Sequence, residues 1–145
     1  MTLLSNPYFV VPLIAWAIAQ ASKVIWDSVL THRFSVRRLA TAGGMPSSHS
    51  ALVVSLTTII GRLQGVQTPL FALALILSAV VMYDATGVRR AAGQQAMILN
   101  RLIDDLFIAH QGLQQERLRE LLGHTPIEVI AGALLGIVIG LGLGR

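Results

Sequence analysis

Gly43-Gly44-Met45-Pro46-Ser47-Ser48-His49-Ser50 stands directly ahead of an apolar run, Ala51 to Ile60. Two glycines free the backbone, Pro46 fixes φ, and the serines that follow are helix caps by type. The stretch therefore reads as the start of a helix, with His49 in its first turn. Free N–H groups at such a terminus point outward and attract anions. A histidine beside an anion site suggests phosphate chemistry, provided the rest of the chain brings a second catalytic group and cations to the same place.

The helix that begins at Ser48 enters a very apolar chain. Of its 145 residues 54% are hydrophobic and only 12% charged, against about 25% charged in an average soluble domain, and the mean hydropathy is +0.68. The expected fold is an all-α integral membrane protein. It is a compact bundle of about four transmembrane helices forming one domain over residues 1–145, with the third helix extended beyond the bilayer. The formal charge of +4 bears on topology and anionic headgroups and not on nucleic acid. With no cysteine there is no disulfide and no thiolate metal site.

Upstream, a first helix is expected from Pro7 to Trp26. It has aromatics at both ends and no basic run before it, so it reads as a retained membrane helix and not a signal peptide. Lys23 lies one turn from its end, placed either to snorkel to the interface or to meet an anion. The loop to Ser47 holds His32, Arg33, Arg37 and Arg38. Downstream, the second helix runs to about Leu63, and Gly65 and Pro69 mark a turn. A third helix is apolar to Met82 and continues as an amphipathic rod to about Phe107. Helix four spans Pro126 to Leu143. Its Gly132, Gly136 and Gly140 recur every four residues, spacing that lets helices approach closely in lipid. The partner of that face is a helix of the same chain, for part of its length, or a second copy in a homo-oligomer. A spanning helix needs about 20 residues, within a range of about 17–25. Helices one and four qualify; two and three are short and could form a tilted or re-entrant hairpin.

Alternating helix directions put the C-terminal ends of helices one and three on the same side as the N-terminal ends of two and four. That side gathers Lys23, Ser47, Ser48, His49, Asp84, Arg89, Arg90 and His124. The two loops on this side hold five of the ten arginines, against Arg62 alone in the turn between helices two and three, which makes it cytoplasmic by the positive-inside rule.

The last of these residues belongs to a second constellation, Gly123-His124-Thr125-Pro126-Ile127-Glu128. Thr125 and Glu128 form a capping box around Pro126, which accounts for both without any function. It leaves His124 unexplained. The imidazole sits just ahead of a helix terminus, where Glu128, one turn on, could orient its Nδ1. The two roles of Glu128 coexist only if one of its oxygens stays free. Arg89 and Arg90 have an ordinary reading as interface anchors, and Asp84 as a partner for one of them. His32 and His110 read as solvated.

These motifs resemble a known superfamily. Pro46-Ser47-Ser48-His49 is similar to the Pro-Ser-Gly-His motif of the type 2 phosphatidic acid phosphatases, relatives of the vanadium-dependent haloperoxidases. His124, Glu128 and the following Ala131-Gly132 are similar to the family's last motif, a histidine followed four residues later by an aspartate. The full pattern, with Asp84-Ala85-Thr86-Gly87-Val88-Arg89-Arg90, resembles a small divergent branch of that superfamily over nearly the whole chain. The resemblance implies a membrane phosphatase acting on a lipid phosphate or pyrophosphate, with no metal and no cofactor. His124 would be the nucleophile that forms a phosphohistidine, His49 the general acid, and Glu128 the group orienting His124. Lys23, Ser47 and Ser48 would hold the phosphate. Two departures stand out. The family's first motif has Arg-Pro seven residues after its lysine, where this chain has Leu30-Thr31. The last motif has an arginine six residues before its histidine, where this chain has Leu118, flanked by Arg117 and Arg119. Arg89 and Arg90 reach the same side and would take over, with Asp84 in support. The alternative is a non-catalytic protein that binds anionic phospholipid or has a structural role in the membrane.

Overall fold

Ser47 is where the central helix starts. Its backbone is extended and its side chain accepts from the Ser50 N–H, which satisfies one of the free donors of the first turn. The computed structural model describes residues 2–31, 44–107 and 123–143, with the side chains of 27–31, 89 and 105–107 excepted. After a short 3-10 turn at Leu3–Ser5 come α1 (Pro7–Thr31), α2 (Ser48–Gln64), α3 (Pro69–Thr86), α4 (Val88–Phe107) and α5 (Pro126–Leu143). No strand occurs among the described residues. His32, Arg33, Arg37, Arg38, His110, Arg117 and Arg119 lie outside them, as does the Arg89 side chain.

Helix α2 is the hub, packed against α1, α3 and α5. Its buried residues include Ser48, Ser50, Ser55 and Thr57 as well as Val53, Ile59 and Ile60. At 17 residues, and with these hydroxyls, it is not among the stretches long and apolar enough to cross a membrane. Those are Pro7–Trp26, Pro69–Asp104 and Pro126–Leu143. A helix enclosed by three others can carry hydroxyls inward, whereas its neighbours must present apolar residues to lipid. Val11, Ala15 and Ala19 of α1 meet Ala51 and Ile59 of α2 and Ile139 of α5 in the core.

Helices α2 and α5 run parallel. Gly132 faces the Ser47 carbonyl so closely that a Cβ would collide with it, and a Cβ on Gly136 would lie 2.7 Å from Ala51 O. One on Gly140 would lie 2.7 Å from Thr58 Cβ. The glycine face is therefore filled along its length by α2 of the same chain. Of the two candidate partners for this face, the one present is a helix of the same chain, and the glycines bring its backbone and that of α5 together.

The third helix also differs from expectation. The stretch expected to be one rod is interrupted at Gly87 (φ −103°, ψ −85°), so α3 ends at Thr86 and α4 begins at Val88. A single glycine without a Cβ lets the backbone leave helical geometry there at little cost. Between α2 and α3, Thr57 Oγ1 lies 2.8 Å from Ser78 Oγ and 3.0 Å from Ala74 O, and Ser78 Oγ donates to Val53 O at 3.0 Å. These hydroxyls tie α3 to the hub.

Candidate functional site

The parallel course of α2 and α5 sets their N-termini side by side, joined where Ser47 N donates to Glu128 O at 2.9 Å. Both positive dipole ends point the same way. Ahead of α5, the backbone N–H of His124 donates to Ala85 O, 3.1 Å away, which ties the Gly123-His124 pair to the end of α3. Gly123 makes this docking possible, since a Cβ there would lie 2.9 Å from Ala85 O and would collide with the Arg90 backbone.

The His124 side chain is buried, and its Nδ1 is 3.0 Å from Glu128 Oε2. The same Oε2 accepts from Thr125 N at 3.0 Å, and Glu128 N donates back to Thr125 Oγ1 at 3.4 Å. The capping box and the histidine contact therefore coexist. Both fall on one oxygen, and Oε1 lies outside both bonds. Because a carboxylate only accepts, Nδ1 carries the proton and Nε2 is the basic nitrogen.

Lys23 approaches from α1. It is half-buried, its Nζ donates to Ser48 Oγ at 3.3 Å, and it interacts electrostatically with Glu128. Gly44, at φ +85°, lies along the lysine stem: a Cβ on it would be 3.9 Å from Lys23 Cγ and Cδ. Lys23 thus reaches the N-terminus of α2 through Ser48, with Gly44 beside its stem.

The other expected residues divide. Ser48 is buried beside Lys23. Ser47 is fully buried, and its Oγ serves Ser50 N at 3.4 Å and Ser50 Oγ at 3.1 Å. Its oxygen thus accepts twice at the cap of α2, and neither bond uses its own O–H. His49 is exposed in the first turn of α2, Asp84 is half-buried in the last turn of α3, and Arg90 is exposed beside Gly123. The backbone links from Ser47 to Glu128 and from Ala85 to His124 were not visible in the sequence. Gly123 was the available signal, a small residue placed where two segments of the chain meet.

Taken together, these features define an all-helical integral membrane protein that gathers an imidazole, its carboxylate and a lysine at two adjoining helix N-termini. The chain belongs to the Divergent PAP2 family, whose model matches residues 4–139, as the resemblance to a divergent branch of the phosphatidic acid phosphatases implied. It is a phosphatase-related membrane protein. It is similar to YuiD of Bacillus subtilis (strain 168), an uncharacterised membrane protein: 40% of 151 aligned residues are identical, covering 97% of this chain and 96% of that one. No solved structure matches the chain.

Proposed function

We propose that the protein hydrolyses a lipid phosphate or pyrophosphate through a phosphohistidine on His124, without a metal ion. The observation that carries this reading is the 3.0 Å contact between His124 Nδ1 and Glu128 Oε2 at the meeting point of two helix termini and Lys23. It leaves Nε2 basic in a place suited to an anion. In the first step Nε2 attacks phosphorus, the bond from phosphorus to the leaving oxygen breaks, and His49 gives that oxygen a proton. In the second, water attacks the phosphohistidine, His49 takes a proton from it, and phosphate leaves with Nε2 restored. Lys23, Ser48 and the free N–H groups of the first turns hold the phosphoryl oxygens. Arg90 and Arg89, from the start of α4, supply the charge that the absent family arginines would bring, and Asp84 steadies them.

The magnitudes require these cations. Enzymes lower the barrier to phosphate-monoester hydrolysis by on the order of 20 kcal/mol or more. General acid catalysis supplies about 10²–10⁴-fold and positioning about 7–11 kcal/mol. The remainder must come from charges and N–H groups around the transferring group.

The site lies on the cytoplasmic side in this reading, because the loops leading to α2 and α5 carry five of the ten arginines, against Arg62 alone where α2 turns into α3. A second reading, binding of an anionic phospholipid without turnover, is favoured by one observation: the capping box alone accounts for Glu128.

The test is phosphate release by the detergent-purified protein on a panel of lipid phosphates and pyrophosphates, with EDTA present. Release by wild type that falls to background in His124→Ala is the expected result. A folded wild type inactive on every substrate, with anionic-lipid binding equal in wild type and His124→Ala, would replace the enzyme by the binder.

A further inference from the structure

Helix α4 buries the wrong edge for a helix meant to stand in water or pack in the bundle. Its apolar residues Val88, Ala92, Leu99 and Leu102 fall at intervals of four, seven and three, one stripe of an α-helix, with Gln95 the polar residue within it. That stripe is open: Val88 is 63%, Leu99 48% and Leu102 51% exposed. The buried positions are Gly93 and Asn100, on another side of the helix. Among the described helices only α3 touches α4. Arg90, Gln94 and Arg101, all exposed, lie opposite the stripe, and Asp104 shares their face near the far end.

What covers the stripe is indicated by what it continues. Helix α3 presents Leu73, Ile76, Leu77 and Val80 outward, the face that a spanning helix turns to lipid. Tyr83 follows, 75% exposed, at the position where aromatic residues mark the bilayer interface. Four residues later the helix breaks at Gly87 and the amphipathic segment begins.

We propose that α4 lies in the plane of the membrane, at the boundary between acyl chains and headgroups of the leaflet nearest the candidate site. Its stripe enters the acyl region, and its Arg90–Arg101 face looks toward headgroups and water. An apolar arc opposite a basic polar face, on a helix too polar to span, is the pattern of an interfacial helix. Because Ala85 O holds His124 N two residues ahead of the break, the depth of this α3–α4 junction also sets the height of the imidazole relative to the headgroups.

The absence of cysteine allows a direct test. Val88→Cys, Leu102→Cys and Gln94→Cys each carry a polarity-sensitive fluorophore in vesicles of phosphatidylcholine and phosphatidylglycerol. Quenching is compared for aqueous iodide and for lipids spin-labelled at shallow and deep acyl positions. The expected result is a blue shift and strongest quenching by the shallow label at positions 88 and 102, with iodide quenching only at 94. Iodide quenching at all three positions would overturn the proposal in favour of a rod in water. Strongest quenching by the deep label would overturn it in favour of a spanning segment. Blue-shifted probes at 88 and 102 that no lipid label reaches, and that self-quench between copies, would assign the stripe to a second copy instead. None of these readouts depends on phosphate release.

Discussion

His124 and Glu128 are four residues apart, one helical turn, and that spacing was enough to predict the pair. The structure adds that a single carboxylate oxygen serves both the imidazole and the Thr125 N–H. Removing the carboxylate should therefore have two separable effects. Glu128→Ala loses a helix cap, at about 1 kcal/mol, which a thermal melt in detergent should register as a small shift. Phosphate release should fall far more, by on the order of 10²–10⁴-fold, because an unoriented imidazole presents the wrong tautomer. If activity fell only in step with stability, Glu128 would be a cap and nothing more. Ser47 shows where residue-level reading stops. A serine before a helix has the same sequence signature whether it caps the backbone or holds an anion. Its complete burial and its bonds to Ser50 establish the cap, which the sequence alone could not. Lys23 was ambiguous for a similar reason: its role depends on the loop containing Gly44 and on Ser48, both distant in sequence.

At the scale of the elements, the glycine spacing in α5 was legible as a close-packing face, but its partner was not, because small residues favour any helix that can approach. The structure assigns it to α2. Gly136→Ala should then destabilise the protein by about 1–3 kcal/mol, as overpacking against a backbone does, with a lower melting temperature in detergent. Gly142→Ala, where a Cβ meets nothing within 4 Å, should be neutral or slightly stabilising. Equal effects at the two positions would contradict the assigned packing. The hydroxyl contact between α2 and α3 is smaller in scale. Thr57→Val should cost roughly 0.6 kcal/mol, and at most about 1.7, the range measured for interhelical hydrogen bonds in membranes. The break at Gly87 was present in the sequence as an isolated glycine. It was masked by the continuous run of helix formers on either side, which by periodicity alone reads as one rod.

For the whole molecule, alternation of helix direction predicted which ends would meet, and the contacts of Lys23 with Ser48, Ser47 with Glu128 and Ala85 with His124 agree with it. Hydropathy alone could not reveal that the least apolar of the bundle helices is the central one, since α2 is shielded from lipid by its neighbours. The opposite end of the bundle is marked by Arg62, whose Nη1 donates to Leu141 O beyond the last glycine of the α2–α5 seam. With a cytoplasmic site, an impermeant thiol reagent applied outside cells should label Arg62→Cys and leave Met45→Cys untouched; the reverse pattern would invert the molecule. The central claim is that His124 carries the phosphoryl group, and it can be tested before any substrate is known. An enzyme that forms a phosphohistidine also forms it in reverse from inorganic phosphate, and each cycle exchanges a phosphate oxygen with water. The measurement is loss of ¹⁸O from labelled phosphate, with purified protein and EDTA, for wild type and His124→Ala. Exchange by wild type that disappears in the variant is the predicted result. No exchange by folded wild type, or equal exchange by both, would contradict the account.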